Sequence, residues 1–336
     1  MNDAFSIAGI PIAGRVLLAP MSGVSDLPFR RAASRLGAPY VVTEMVACET
    51  LAQGRADVVR RAARSDDIAL TVIQLVGRET QWLATGARIA EESGADIIDI
   101  NMGCPAREVT GGLSGSALMR DLDQAERLIA AAVGATQRPV TLKMRLGWDD
   151  TSKNAAALAV RAEGAGVRAI TVHGRTRQQF FKGASDWRAV AAVKAATRLP
   201  VIVNGDIVDA TSAREALAQS GADAVMIGRA ALGKPWIAQT VASALKSGSA
   251  MVEPDLDARL DIILDHFRDS LAFYGDRLGL KTFRKHLARY IEDAPLAQSP
   301  ASRRAAKAHL CALDLPSAVE HGLVALWQET CADIAA

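Results

Sequence analysis

Short runs rich in Val, Ile and Leu alternate, as far as Lys246, with longer stretches whose apolar positions recur three and four residues apart. The first kind of run predicts buried strands and the second predicts amphipathic helices. Predicted strands are Val16–Ala19, Tyr40–Thr43, Leu70–Leu75, Asp96–Ile100, Val140–Met144, Ala169–Val172, Val201–Val203 and Ala224–Ile227. Helical spacing fills intervals between them, at Glu79–Ser93, Leu122–Ala135, Asn154–Ala165, Trp187–Ala196 and Ala210–Gln219. Gly94, Gly166 and Gly221 stand where helix C-caps are expected. Eight strand-then-helix units have the rhythm of an α/β protein built as a (β/α)₈ TIM barrel. A doubly wound sheet would carry a glycine fingerprint after its first strand, and Ala19-Pro20-Met21-Ser22-Gly23 is not one.

The alternation stops after Lys234–Lys246. Ser247-Gly248-Ser249 and Glu253-Pro254-Asp255 read as a linker, and only helical patterns follow: Leu256–Tyr274, Lys281–Ile291, Arg303–Ala312 and Pro316–Ala332. Gly275, Gly279, Pro295 and Ser299-Pro300 mark the turns between them. The expected organisation is a barrel over residues 1–248 and a small all-helical C-terminal domain over 253–336.

Composition narrows the function classes. The formal net charge is +2, so overall charge does not announce a polyanionic partner. Cys48, Cys104, Cys311 and Cys331 are scattered without CxxC spacing, which argues against a zinc site, an iron–sulfur cluster or a disulfide framework. The N-terminal MNDAFSIAGIPIAGR lacks the pattern of a secretory signal, and no apolar run approaches the roughly 18 residues that span a bilayer. A cytoplasmic monomer with no metal and no membrane contact is expected.

The chemistry lies just beyond the apolar runs, where a barrel builds its ligand site. The first predicted strand leads into Pro20-Met21-Ser22, the second ends at Glu44, the third at Gln74 and the fourth at Asn101. The fifth carries Lys143 and Arg145, and the sixth ends at His173, two residues before Arg175. Asn204-Gly205-Asp206 and Gly228-Arg229 follow the seventh and eighth, where barrels often bind phosphate through loop N–H groups. Arg229 can add a forked charge-assisted contact. Lys143 within a strand is expected to point inward as a fixed cation beside an electron-rich ligand or a developing anion. Cys104, in a Gly-Cys-Pro turn at the rim, is the candidate acid: an ordinary thiol of pKa about 8.5 is mostly protonated at neutral pH. Cys48, Cys311 and Cys331 read as structural.

Ala19-Pro20-Met21, Asn101-Met102-Gly103-Cys104-Pro105, Leu142-Lys143, His173-Gly174-Arg175-Thr176, Asn204-Gly205-Asp206 and Met226-Ile227-Gly228-Arg229 together resemble the tRNA-dihydrouridine synthases, most nearly their bacterial B-type branch. The likeness spans nearly the whole chain, including Trp236 and the helical tail. It implies FMN at the barrel mouth, reduced by NADPH and passing hydride to C6 of a tRNA D-loop uridine while a cysteine protonates C5. Carried over by motif, Cys104 is that acid. Pro20, Met21, Ser22, Gln74, Lys143, Asn204, Gly205, Asp206, Gly228 and Arg229 would contact FMN, with Asn101 and His173 orienting flavin or substrate.

Substrate tRNA needs a surface for its phosphates. Lys281, Arg284, Lys285 and Arg289 are spaced to share one face of a tail helix, and with Arg145 and Arg175 they are the candidate substrate contacts. The competing function is another FMN-dependent barrel oxidoreductase acting on a small molecule, of the dihydroorotate dehydrogenase kind. Such an enzyme needs neither the tail nor its basic stripe.

Overall fold

The structure, a computed structural model, describes residues 5–335, with side chains through residue 328. An antiparallel hairpin opens the chain, β1 (Phe5–Ile7) and β2 (Ile10–Ile12). Its two turn residues, Ala8 and Gly9, have φ of +50° and +84°, the left-handed pair that suits a tight hairpin. Parallel strands follow: β3 (Val16–Leu18), β4 (Val41–Val42), β5 (Val46–Ala47), β6 (Thr71–Val76), β7 (Ile97–Met102), β8 (Val140–Arg145), β9 (Ile170–His173), β10 (Val201–Asn204) and β11 (Ala224–Ile227). The order β3-β11-β10-β9-β8-β7-β6-β4 brings the first strand beside the last, and Leu18 N–H donates to Tyr40 O at 3.0 Å across the remaining seam. This is a nearly closed eight-position parallel barrel. Its second position is broken: β4 pairs with the start of β6 and β5 with its end, and Thr43–Met45 leaves the ladder between them.

Helices α1 (Leu27–Arg35), α2 (Cys48–Ala52), α3 (Ala56–Arg61), α4 (Thr80–Glu92), α5 (Arg107–Gly111), α6 (Leu122–Val133), α7 (Ala155–Gly164), α8 (Trp187–Ala196), α9 (Ala210–Ser220) and α10 (Ile237–Ser247) lie between and after the strands. Asp26, Asp121, Asp186 and Asp209 cap α1, α6, α8 and α9 with carboxylates accepting from backbone N–H groups. The outward strand residues and the helices share one apolar core. A second core inside the barrel joins Ile7 and Ile12 of the hairpin to Leu17, Tyr40, Val72, Ile97, Ala169, Ile202 and Ala224, so the hairpin plugs the end of the barrel where the strands begin.

The tail is α11 (Leu256–Tyr274), α12 (Asp276–Asp293), α13 (Pro300–Ala312) and α14 (Pro316–Ala335), around a separate apolar cluster that includes Phe267, Phe283, Leu287, Tyr290 and Leu323. Trp236, just before α10, packs into that cluster and ties tail to barrel. Helix α12 starts ahead of the expected Lys281 because Gly279 lies inside it. A Cβ there would sit 2.6 Å from Ser270 O of α11, so the glycine permits close helix contact where the sequence suggested a turn. Among the described residues no helix is long and apolar enough to cross a membrane.

Candidate active site

Alternation along the strands sends every second residue into the barrel. Register places Gln74 beside Asp99, Asp99 beside Thr141, Asn101 beside Lys143, and Ile202 beside Ala224. Ascending the barrel, the inward row changes from apolar to polar and opens into a cavity of about 780 Å³ at the strands' C-terminal ends. Cys104, Pro20, Met21, Ser22, Gln74 and Asn101 line it, as do Lys143, His173, Asn204, Gly205, Asp206, Gly228 and Arg229. Arg145 and, from the tail, Arg289 also reach it.

The floor is one hydrogen-bond chain. Thr141 Oγ1 donates to Asp99 Oδ1 (2.7 Å), Gln74 Nε2 to Asp99 Oδ2 (2.6 Å), and Asn101 Nδ2 to Gln74 Oε1 (2.8 Å). Asn101 Oδ1 then accepts from Gly103 N (3.1 Å) and Cys104 N (2.9 Å). On the other side of Cys104, its carbonyl accepts from Ser116 N (3.1 Å) and Ser116 Oγ (2.8 Å). The segment bearing the thiol is therefore held from the barrel interior and from the loop beyond. Burial raises the Cys104 thiol above its ordinary value, against the opposing pull of the Ala106 N–H, Arg145 and Lys143. It stays a protonated thiol at neutral pH.

Lys143 Nζ donates to Asn204 Oδ1 at 3.0 Å, and Asn204 Nδ2 donates to Met226 O at 2.7 Å. Burial pulls the ammonium down to about 8 despite the attraction of Asp99. Asp99 itself is raised by burial, which its hydrogen bonds from Thr141 and Gln74 only partly counter. His173 is driven well down by burial and by the surrounding cations Arg145, Lys143, Arg175 and Arg229, so it is a neutral imidazole. Arg175 Nη1 lies 3.3 Å from its Nε2, and an arginine can only donate, which makes Nε2 the acceptor.

Beyond β10 the backbone turns through Gly205 (φ +114°) and Asp206 (φ +53°). A Cβ on Gly205 would come within 2.2 Å of Ser185 Oγ and 2.7 Å of the His173 ring, so only glycine fits. Asp206 Oδ2 accepts from Arg175 Nη2 (2.5 Å) and Ser185 N (2.8 Å). Burial raises the Asp206 carboxyl, but these partners outweigh it and hold the group below its ordinary value. Arg229 is the exposed partner in this corner, 3.6 Å from Asp206 Oδ1 and stacked 4.9 Å over the Phe181 ring.

Several expected contacts lie elsewhere. Arg175 is 2% exposed and directs its guanidinium at Asp206, Ser185, Lys182 O and Gly183 O, so it braces a loop instead of presenting charge to a substrate. Arg145 touches the cavity but is committed to Gly103 O, Thr176 O and Phe180 O. Glu44 turns from the rim to accept from Gly23 N. The basic face of α12 divides: Lys281 is exposed, Arg284 pairs with Asp314 and Leu313 O, and Lys285 lies against Gly23 of the barrel. Arg289 lines the cavity and pairs with Glu292 and Asp293. Cys48 is buried, its thiol pushed up to about 12, and Cys311 is half-buried. The side chain of Cys331 lies outside the described residues. Sequence reasoning overlooked Asp99 and Thr141, which look like ordinary strand positions until register shows them facing inward. It also overlooked Phe180 and Phe181 at the mouth, whose signal was an aromatic pair in a chain that is only 4% aromatic.

The chain matches the family described as "Dihydrouridine synthase (Dus)" over residues 17–311. A probable tRNA-dihydrouridine synthase of Rhodobacter capsulatus is 54% identical over 280 residues, covering 83% of this chain and 86% of the relative. The tRNA-dihydrouridine synthase B of Xanthomonas campestris pv. campestris is 44% identical, covering 84% and 86%. Among solved structures, morphinone reductase in complex with tetrahydroNAD shares 16% identity at a TM-score of 0.53, covering 76% of this chain and 93% of that one. A 2-naphthoyl-CoA reductase complex shares 11% at 0.56, covering 72% and 52%. Those two likenesses concern the fold alone, whereas the close relatives set aside the small-molecule alternative. The chain belongs to the dihydrouridine synthase family.

Proposed function

We propose that the cavity holds FMN, re-reduced by NADPH, and that the protein acts as a monomer to saturate the C5=C6 bond of a D-loop uridine in tRNA. The observation that supports this most directly is one thiol and one buried ammonium facing the same cavity. Its volume falls in the range of small-molecule and cofactor sites. The residues present suit the cofactor: Lys143 has donor capacity beyond its one bond to Asn204, and Gly205 keeps the wall clear of any Cβ. Gly205, Gly228 and Arg229 would hold the phosphate, and Pro20, Met21, Ser22 and Gln74 the ring system. A reduced flavin bound there supplies hydride to C6 of the uracil.

The chain's own residues do the rest. Cys104 Sγ gives its proton to C5, so hydride and proton together add across the double bond, and the thiolate recovers a proton from solvent. A raised thiol pKa keeps the acid loaded. Lys143 supplies a fixed positive charge beside the reacting rings, while Asn101 and neutral His173 orient them. Reaching C5 and C6 requires the uridine to leave its stack, which costs a few kcal/mol and least in a loop. Lys281, Lys285 and Arg289 would meet tRNA phosphates, with Arg145 at the pocket wall and Arg175 bracing the loop behind it.

Heat release of the cofactor tests the reading. FMN is expected, with NADPH oxidation and dihydrouridine formed in added tRNA. Recovery of FAD, or of no flavin, overturns it.

A further inference from the structure

We propose that Asp26, His266 and His286, where barrel helix α1 meets tail helices α11 and α12, form a binding site for one divalent transition-metal ion of zinc's class. The three side chains come from separate segments, all buried, and one ligand atom from each lies within 4.8 Å of the others. Three of the four imidazole nitrogens, His266 Nε2 and both of His286, have no hydrogen-bond partner. Buried polar atoms in folded proteins are nearly always satisfied, so these orphans point to an occupant between them.

The fourth nitrogen supports a metal. His266 Nδ1 lies 2.9 Å from Tyr290 Oη, the outer contact that fixes a ligating imidazole and turns its other nitrogen to the ion. Asp26 accepts from Phe29 N (3.1 Å) and Tyr274 Oη (3.2 Å), one bond per oxygen, and each oxygen keeps a lone pair. Phe29 stacks on His286 with centroids 5.5 Å apart, and Phe283 meets His266 edge-on at 5.1 Å, so the walls are apolar. Nearby charges balance, Asp26 and Glu44 against Arg30 and Lys285. Two imidazoles and a carboxylate are the donors zinc prefers, with a fourth position left for water. Zinc bonds of about 2.0–2.2 Å hold ligands about 3.4 Å apart. Closing from 4.8 Å to that spacing would fall to His286, whose ring nitrogens no hydrogen bond restrains. The ion would fasten the tail to the barrel away from the cavity.

The test uses the untagged full chain, loaded with Zn²⁺, freed of excess by gel filtration and assayed for metal by mass spectrometry. Wild type is expected to retain about one equivalent more than His286→Leu or His266→Leu, and a strong chelator to lower the Tm of wild type only. Co²⁺ in wild type should give the intense visible absorption of a tetrahedral site, and this readout decides alone if the variants do not fold. Equal zinc in wild type and His286→Leu, or a pale octahedral cobalt spectrum, overturns the proposal and leaves an ordered water as the occupant. Chelation that leaves the wild-type Tm unchanged does the same.

Discussion

The two ends of the barrel interior are built from the same strands and behave as different materials. In β6 the inward residues are Val72 and then Gln74; in β7, Ile97, Asp99 and Asn101; in β10, Ile202 and Asn204. One end is an apolar plug closed by the β1–β2 hairpin. The other is a layer of amides, a carboxyl and an ammonium open to a cavity. Two residues of travel separate a position that stabilises the fold from one that serves chemistry. In a parallel barrel, then, a substitution's effect is set by its height along the strand as much as by its burial, since both rows are buried.

That comparison fails unless Cys104→Ala keeps FMN and stability yet loses about 10²–10⁴-fold in dihydrouridine formation, the usual loss for a missing general acid. Single-turnover assays on tRNA measure it, and near-normal yield would assign the proton to another group. At the plug end, Ile202→Ala should lose about 2–5 kcal/mol in denaturant unfolding. Its flavin spectrum should not change. A smaller effect is expected at the polar end. Lys143→Met should weaken FMN binding about tenfold or more, or about 1.4 kcal/mol, without loss of stability in the cofactor-free chain.

Protonation of Lys143 sharpens the contrast. The folded-state value, about 8, lies below the ordinary 10.5, so folding is penalised where the lysine is charged in both states. The penalty is full below about pH 8 and is relieved as pH rises towards 10.5. The stability of wild type relative to Lys143→Met, both cofactor-free, should therefore climb across that window, while wild-type affinity for FMN falls. A flat difference would place the charge elsewhere.

The smallest effects concern α12. Lys281, Lys285 and Arg289 replaced by Ala should weaken tRNA binding and make the log K against log salt slope shallower by about 0.7–0.9 per lost phosphate contact. Arg284→Ala, whose partner is Asp314, should leave that slope alone and change stability by about 0–1 kcal/mol. Equal slopes for the triple variant and wild type would move the tRNA surface to the barrel rim.

Strands such as Val201–Asn204 and Ala224–Ile227 were legible because an unbroken apolar run between helical patterns admits little else. The hairpin was not, since three-residue strands joined by Ala8-Gly9 carry too few positions to show a period. The break at Thr43–Met45 escaped for a related reason: Thr43 and Glu44 read as the polar end of the second strand, and Val46-Ala47 is too short a run to show that pairing resumes. Within the site, motifs located the lining but not the partners of each charge. Arg145 and Arg175 read as anion contacts, and only the fold brings Thr176 O, Phe180 O and Gly183 O to meet them. Asp99 was hidden by full burial, which erases the alternation that would show which way a strand residue faces.

The seam between β3 and β11 has a consequence for biosynthesis. Among the described residues, Val16, Leu17 and Leu18 find their ladder partners in Val225, Met226 and Ile227. Tyr274 of α11 reaches Asp26 across 248 residues of chain. A nascent chain emerging from the ribosome thus carries an unpaired strand edge until most of its length has been translated, and an edge of that kind is a template for association. Such distant pairings also slow folding. Truncation before residue 224 should yield a species that aggregates, whereas chains reaching Ile227 can close the seam before release.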